Sequence, residues 1–253
     1  MLPNIPDFPL VALGILEAGG FISTINPVYT AHEVQRQLLM SKAKLVVTLP
    51  ELSNVIKDAL QKAKLDLKII VVKTNTEATP DGTTSFSELS EDVHIDKSCL
   101  KEVRRTSSDI CFLPYSSGTT GLPKGVELTN RNIVANCIQI DEPAIKCQSE
   151  TTATHQDSVM AVLPFFHIYG AVVLMFHKMA HGIKMVTLPK FQPQHFLETL
   201  EKSKPNLLFA APPLILLMQS QATKKQLQYL DVIVNGAAPL AASDIEKFLV
   251  TAG

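Results

Sequence analysis

Short apolar runs alternate with amphipathic segments along most of the chain. The apolar runs predict buried strands at residues 44–48, 68–72, 109–113, 159–163, 183–188, 206–210 and 232–234. Between them, the spacing of apolar side chains predicts helices, as at residues 51–63, 170–180 and 194–203. Another predicted helix begins at Thr30, which forms a capping-box pattern with Glu33 and precedes Val34, Leu38 and Leu39 on one face. Strands that alternate with helices predict parallel sheets with crossover helices. We therefore predict an α/β fold of two packed α/β subdomains, with mostly parallel sheets and flanking helices, at approximately residues 1–108 and 109–253.

The charge balance and the cysteine spacing restrict the class of protein. The 23 basic and 24 acidic side chains give a net charge of −1, which argues against a nucleic-acid partner. The four cysteines show no C-x-x-C pair or other metal spacing, and the apolar surroundings of Cys111 and Cys137 predict buried thiols, which suits a reducing compartment. The first twenty residues lack the basic region of a signal peptide, and Pro164, His167 and Gly170 interrupt the most apolar window. We expect a soluble, intracellular protein, cytoplasmic or peroxisomal, without a membrane span.

Residues 114–126 form the segment that is best suited to hold a phosphate. They combine hydroxyls, glycines and a lysine, namely Ser116, Ser117, Gly118, Thr119, Thr120, Gly121, Lys124 and Gly125. Glycines let backbone N–H groups approach one anion, hydroxyls donate further hydrogen bonds, and lysine adds a positive charge. A predicted strand precedes the segment, and a helix capped by Thr129 or Asn130 follows it, which suits a phosphate site. The segment is not a Walker A loop, because Lys124 is followed by Gly125. A flexible Ser/Gly loop without a ligand is the alternative.

Three segments together resemble the adenylate-forming (AMP-dependent synthetase/ligase) superfamily. They are YSSGTTGLPKGV at residues 115–126, LPFFHIYG at residues 163–170 and NGAAPL at residues 235–240. The resemblance covers essentially the whole chain and is strongest to acyl-CoA synthetases of the 4-coumarate–CoA ligase type. It implies an incomplete large N-terminal AMP-binding (adenylation) domain without the family's small mobile C-terminal domain. We therefore expect a truncated N-terminal portion of a longer enzyme.

The resemblance also implies an activity and a set of site residues. The activity is ATP-dependent conversion of a small-molecule carboxylic acid, aromatic or fatty, to an acyl-adenylate and then to a CoA thioester, with ATP, Mg²⁺ and coenzyme A bound. The implied ligands of the ATP phosphates are Ser116, Ser117, Gly118, Thr119, Thr120, Gly121 and Lys124. The other implied contacts are Gly236, Ala237 and Ala238 with the adenylate, His167 and Tyr169 with the acid, and Lys190 with CoA. The implied catalytic residues are Lys124, Thr119 and His167.

Several alternatives remain open from the sequence. The chain is expected to be inactive by itself, because the family's downstream catalytic half is not in it. A non-catalytic adenylate-fold binding module and a fragment of a luciferase-like monooxygenase are the alternative functions. A core histidine at position 167 and a solvated surface lysine at position 190 are the alternatives for those residues. His177 and His181 are four residues apart, but Lys178 stands where H-E-x-x-H requires glutamate, so we interpret them as structural or exposed and predict no metal site.

Overall fold

The computed structural model describes residues 1–92, 94–116 and 123–252 of the chain. Five of the predicted phosphate ligands, Ser117, Gly118, Thr119, Thr120 and Gly121, lie outside the described residues. The chain divides into two compact units, Met1–Val134 (unit 1) and Ala135–Gly253 (unit 2). Helices and mostly parallel strands alternate in both, which confirms the predicted α/β class.

Unit 1 is built from short strands separated by helices. In chain order its elements are α1 (Asp7–Glu17), β1 (Ile22–Ser23), α2 (Ala31–Ser41), β2 (Leu45–Thr48), α3 (Ser53–Ala63), β3 (Lys68–Val71), β4 (Thr84–Ser85), α4 (Phe86–Ser90), β5 (Ile110–Leu113), β6 (Tyr115–Ser116), β7 (Lys124–Gly125), β8 (Leu128–Thr129) and α5 (Asn130–Ile140), whose second half belongs to unit 2. Two 3₁₀ helices, Pro50–Leu52 and Ser98–Glu102, connect them. Strands β2, β3 and β4 form one parallel sheet. Strand β5 pairs with β1 in parallel and with β8 antiparallel, and β6 pairs with β7 antiparallel.

Helix α2 shows how local sequence determines an element of unit 1. The Glu33 N–H donates to Thr30 Oγ1 at 3.4 Å, and the Glu33 carboxylate accepts from the Thr30 N–H at 2.7 Å. This capping box satisfies two backbone groups that the helix start would otherwise leave unpaired. Val34 and Leu38, one turn apart, then reach the buried core, which they share with Ile25, Val46, Ile56, Ala59, Ile69 and Val71. Capping and periodicity thus predict this helix correctly.

Unit 2 contains one parallel sheet covered by helices. After α5 its elements are β9 (Ser158–Ala161), α6 (His177–Ala180), β10 (Lys184–Thr187), α7 (Pro193–Ser203), β11 (Leu207–Ala210), α8 (Pro212–Gln221), α9 (Lys224–Leu227), β12 (Val232–Asn235) and α10 (Ala242–Ala252). The strand order is β10-β9-β11-β12, and every pairing is parallel. All four residues of β11 are buried, as expected for a central strand covered on both faces. Its Leu208 and Ala210 side chains share a core with Met160, Phe196, Leu200, Ile215, Met218 and Leu227.

A π-helical segment, Tyr169–Phe176, runs directly into α6. Together they form the helix that the sequence predicts after residue 170, although the first part has the wider π geometry. The π-helical segment is the last part of the apolar window whose Pro164, His167 and Gly170 argue against a membrane span. Across the residues that the structure describes, no helix is both long enough and apolar enough to cross a bilayer.

The division between the units differs from the boundary expected near residue 108. The structure places the strand β5 in unit 1, whereas the sequence pattern groups residues 109–113 with the second half. The reason is the parallel pairing of Ile22 with Phe112 and of Ser23 with Leu113. Such pairing joins residues far apart in sequence and leaves no mark on local periodicity.

The buried carboxylate of Asp157 ties three segments of unit 2 together. It is 2% exposed and accepts hydrogen bonds from the Ser149 N–H at 2.6 Å, Asn206 Nδ2 at 2.8 Å and His155 Nε2 at 2.9 Å. Asn206 in turn accepts the Ser158 N–H at 2.8 Å. Burial raises the pKa of Asp157, but these hydrogen bonds outweigh burial, and the net pKa lies below its ordinary value. The carboxylate therefore fixes the loop before β9 to the starts of β9 and β11.

We expect Asp157→Ala to lower the free energy of unfolding by about 3 kcal/mol at pH 7, because it leaves buried donors without an acceptor. The folded-state pKa is below the unfolded value of about 4, so the contribution is complete at neutral pH and disappears as the pH falls through the folded-state pKa. Urea unfolding at pH 7 and at pH 3 measures both effects. Asp231→Ala removes an exposed aspartate of the same unit and is the control. Equal stability of the two variants at pH 7 would contradict the role of Asp157.

Candidate functional site

The predicted phosphate loop is anchored in unit 1 by a short antiparallel hairpin. Tyr115 lies opposite Gly125, and Ser116 lies opposite Lys124. Beyond the hairpin, the Val126 N–H donates to the Pro114 carbonyl at 2.9 Å. Side chains directly opposite each other project on the same face of a sheet, and those of Ser116 and Lys124 are exposed. A hydroxyl donor and an ammonium group therefore stand side by side at the base of the loop.

Tyr115 fixes this hairpin to the rest of unit 1. Its hydroxyl lies 3.2 Å from Ser23 Oγ on β1 and donates to the Gln37 carbonyl of α2 at 3.4 Å. A solvent-open cleft of about 570 Å³ adjoins the hairpin and is lined by Met40, Leu113, Tyr115, Ser116, Lys124, Gly125, Val126 and Glu127. The base of the predicted loop is thus held by two other elements and borders a cleft that has room for phosphate groups.

Helix α5 has the cap that the sequence predicts, but it does not begin directly after the loop. Asn132 N–H donates to Thr129 Oγ1 at 3.2 Å, and Asn132 Oδ1 accepts from the Thr129 N–H at 3.0 Å, so Thr129 caps α5 as predicted. The short strand β8 lies between the loop and this helix and pairs with β5. The predicted order of strand, loop and helix start is therefore wrong in detail, because a second strand separates the loop from α5.

In unit 2, the predicted acid and adenylate residues meet at the carboxyl edge of the parallel sheet. Gly236 follows the end of β12, and its N–H donates to the Ala210 carbonyl at the end of β11 at 3.0 Å. The phenol ring of Tyr169 lies directly over Gly236. A Cβ atom at this position would be 2.7 Å from two ring carbons of the tyrosine. Only glycine leaves room for this contact, so the structure brings these two predicted residues together.

His167 lies in the turn that leads into the π-helical segment. Its side chain is exposed, and it does not continue a strand, because β9 ends at Ala161. The Tyr169 N–H donates to His167 Nδ1 at 3.3 Å. A neutral imidazole that accepts at Nδ1 carries its proton at Nε2. The turn therefore orients His167 as a donor, close in sequence to the tyrosine that covers Gly236.

The other residues of the adenylate motif form an exposed turn after β12. Ala237 has a positive φ of 70°, and the Asn235 side chain donates to the Ala238 carbonyl at 2.9 Å. Both alanines are exposed. The small side chains leave the backbone accessible at the edge where open α/β sheets bind ligands.

Burial raises the pKa of the half-buried Tyr169, and nearby Cys147 raises this pKa further, so the Tyr169 hydroxyl stays protonated at neutral pH.

Lys190 follows β10 at the same edge of the sheet and is exposed. Among the described residues, the structure shows no hydrogen bond or ion pair of its ammonium group. The surface-lysine interpretation and the CoA interpretation are both consistent with this position.

A group of residues that the sequence did not bring together lies elsewhere in unit 2. Asp141 Oδ1 is 3.1 Å from His177 Nε2 and 2.9 Å from His181 Nε2. Two histidines and one carboxylate are a donor set that a metal ion can use. Burial, followed by the charge of Lys178, lowers the pKa of His177, whereas the two histidines hold the pKa of Asp141 low against the effect of burial. The sequence signal was the pair of histidines four residues apart. The third member was missed because it lies 36 residues before His177.

Comparisons with known proteins show the family of the chain. The family described as AMP-binding enzyme matches residues 1–253. Among curated proteins, 4-coumarate–CoA ligase 1 of Solanum tuberosum is 33% identical over 244 residues, which cover 95% of this chain and 42% of the ligase. The chain thus spans less than half the length of this relative.

Solved structures share the fold. A red-emitting luciferase from Phrixothrix hirtus superposes with a TM-score of 0.80 at 25% identity, over 98% of this chain and 47% of the luciferase. An anthranilate CoA ligase in complex with anthranoyl-AMP superposes with a TM-score of 0.81 at 19% identity, over 99% of this chain and 47% of that protein. Because the anthranilate CoA ligase is only 19% identical to this chain, the superposition with it shows a shared fold alone.

Proposed function

The chain belongs to the family of AMP-binding enzymes, and from that membership we propose that it forms the ATP- and acid-binding part of an acid–CoA ligase. The reaction joins a carboxylic acid to the α-phosphate of ATP, expels pyrophosphate, and then transfers the acyl group to the thiol of coenzyme A. ATP enters as its Mg²⁺ complex. The acid is proposed to be aromatic, as for a 4-coumarate–CoA ligase-like enzyme, or fatty, as for a fatty acyl-CoA synthetase-like enzyme, because Phe166 and Tyr169 in the LPFFHIYG segment suggest an apolar acid site.

Unit 1 is proposed to hold the phosphates. When the acid oxygen attacks the α-phosphorus, negative charge accumulates on the leaving pyrophosphate. Lys124 and Ser116, side by side at the base of the hairpin, supply a positive charge and a hydrogen-bond donor for that charge. Thr119 and the neighbouring residues of the loop are proposed as further donors, with Thr119 also assigned a catalytic role.

Unit 2 is proposed to hold the acid and the adenine side of the adenylate. The observation that carries this proposal is the contact of the Tyr169 ring with Gly236 at the carboxyl edge of the sheet. The ring offers an apolar wall that packs on Gly236, and the exposed turn of Ala237 and Ala238 beside it lets a flat base approach the backbone. His167, oriented as a donor at Nε2, would hydrogen-bond the acid carboxylate. Lys190 is proposed only as a contact on the CoA side.

A luciferase-like oxygenation is the second candidate. It is favoured by the likeness to the Phrixothrix hirtus luciferase, and it uses the same proposed adenylation step. A binding module without catalysis is the third candidate. In that case we expect the 253-residue chain alone to bind ATP weakly and to show no turnover.

Acid-dependent pyrophosphate exchange distinguishes adenylation from simple binding. Thioester formation from added CoA distinguishes a ligase from an oxygenase.

The test of the acid site is Tyr169→Ala in a protein that contains this chain and turns over. We expect its KM for the acid to rise roughly tenfold, because loss of the ring removes about 1.5 kcal/mol of apolar contact. The KM for ATP should stay unchanged. Pyrophosphate exchange over a panel of hydroxycinnamic and fatty acids measures both.

The matched control is Tyr229→Ala, which removes a tyrosine at the surface of the same unit. Equal KM values for the acid in the two variants would contradict the assignment of Tyr169. Absence of acid-dependent exchange with every acid would overturn the ligase proposal as a whole.

A further inference from the structure

We propose that Asp141, His177 and His181 form a binding site in unit 2 for a divalent transition-metal ion of the Zn²⁺ class. This site is separate from the motifs assigned to ATP and the acid, and none of its residues belongs to those motifs. The inference therefore does not depend on the proposed ligase activity.

The backbone directs the three side chains toward one point. His177 begins α6 and His181 follows its end, so the two histidines lie on the same face one turn apart. Their ring centroids are 4.7 Å apart. Asp141 directly follows α5, and its carboxylate lies within hydrogen-bond distance of the Nε2 atoms of both histidines. Two elements distant in sequence thus supply the three donor groups.

The distances are close to those of a coordination shell. The ligand atoms all lie within 4.8 Å of one another, and both contacts between Nε2 and Oδ1 are about 3 Å. Bonds of about 2.0–2.1 Å in tetrahedral geometry place neighbouring ligand atoms roughly 3.3 Å apart. His181 is 29% exposed and can rotate to close the remaining gap. The three donor groups are therefore close enough for one metal ion to bind all of them after a small rotation of the His181 side chain.

The surroundings support the carboxylate as a ligand. Gln148 Nε2 donates to Asp141 Oδ1 at 3.2 Å, and Gln148 Oε1 accepts from the buried Lys178 ammonium at 2.7 Å. Carboxylate ligands of metal ions are commonly oriented by such hydrogen bonds. The buried Lys178 thus holds Gln148, and Gln148 holds the ligand oxygen.

The donor set selects the class of ion. Imidazole nitrogen suits zinc, copper, nickel and iron, whereas Mg²⁺ prefers oxygen ligands in an octahedral shell. The ion is therefore different from the Mg²⁺ that accompanies ATP. His177 is fully buried, but the Asp141 and His181 side chains are 33% and 29% exposed, which leaves an entry path and a coordination position for water. Bound metal would fasten the segment after α5 to α6.

The test uses the 253-residue chain without a histidine tag, after treatment with a chelator. We expect Co²⁺ to give the intense visible absorption of a tetrahedral site, and Zn²⁺ to displace it and to raise the melting temperature. His181→Ala and Asp141→Asn should each weaken Zn²⁺ binding by more than about 100-fold, because loss of an outer partner alone costs about 10–100-fold. Gln148→Ala should weaken it by about tenfold. Competition with a coloured chelator measures these affinities.

His195→Ala is the matched control, because His195 is an exposed histidine of the same unit outside the cluster. Metal-free melting of each variant shows whether it is folded, and Asp141→Asn preserves the shape of the side chain. Zn²⁺ affinity that is equal in the parent, His181→Ala and Asp141→Asn would overturn the proposal. Absence of Zn²⁺ binding by the folded parent would overturn it as well, and Asp141 would then act only as a hydrogen-bond acceptor for two imidazoles.

Discussion

Gly170→Ala is expected to lower the stability of unit 2 by about 3 kcal/mol or more. A Cβ atom on Gly170 would lie 2.6 Å from the Pro164 carbonyl carbon and 2.7 Å from the Leu163 carbonyl oxygen. These are backbone atoms, which cannot rotate away as a side chain can. The turn at residues 163–167 would have to move, and this turn carries His167. Loss of stability and loss of the acid site are therefore expected together.

Gly14→Ala provides the control for Gly170→Ala. Gly14 lies inside α1, and a Cβ atom there would meet no atom within 4 Å. Alanine restricts the unfolded chain and suits a helix better than glycine, so this variant should gain about 0.5–1 kcal/mol. Urea unfolding followed by circular dichroism measures both variants. A Gly170→Ala protein as stable as the parent would show that the turn is not held by this close approach.

Lys124→Ala is expected to weaken ATP binding by roughly 10–100-fold, because a charge-assisted contact with phosphate contributes about 1.5–3 kcal/mol. In a longer protein that contains this chain and turns over, acid-dependent pyrophosphate exchange should fall by roughly 100-fold or more, because the lysine meets charge that grows in the transition state. Lys124 is exposed in the hairpin, so its loss should leave the melting temperature unchanged.

Lys97→Ala changes the net charge by the same amount at another exposed lysine of unit 1 and is the control for Lys124→Ala. Isothermal calorimetry with ATP and exchange of labelled pyrophosphate are the two measurements. Exchange that is unchanged in Lys124→Ala would remove this lysine from the catalytic residues. An equal loss in both lysine variants would assign the effect to net charge instead of to the loop.

Much of the fold follows from local periodicity. The predicted strands at 44–48 and 68–72 are β2 and β3, and the capping box of Thr30 with Glu33 begins α2 as expected. These predictions succeed because the choice between strand and helix depends mainly on the spacing of apolar side chains within each segment. Motif residues likewise indicated the family, since a dense set of hydroxyls, glycines and a lysine is a local property of the chain.

The boundary between the units and the elements that flank the phosphate loop could not be predicted from local periodicity. Strand β5 belongs to unit 1 because it pairs with β1, and the loop is followed by β8 before α5 because β8 pairs with β5. Pairing between distant strands is chosen by packing and hydrogen bonding of the whole unit. The roles of Lys124 and Thr119 stay predictions, and Thr119 lies outside the described residues.

The sequence by itself determined the α/β class, the order of most elements and the family, because each depends on residues close together along the chain. Only the tertiary structure placed Tyr169 over Gly236 and brought Asp141 to His177 and His181. Those contacts join residues from separate elements. They arise when helices and strands pack in three dimensions, and the free energy of that packing depends on several segments together.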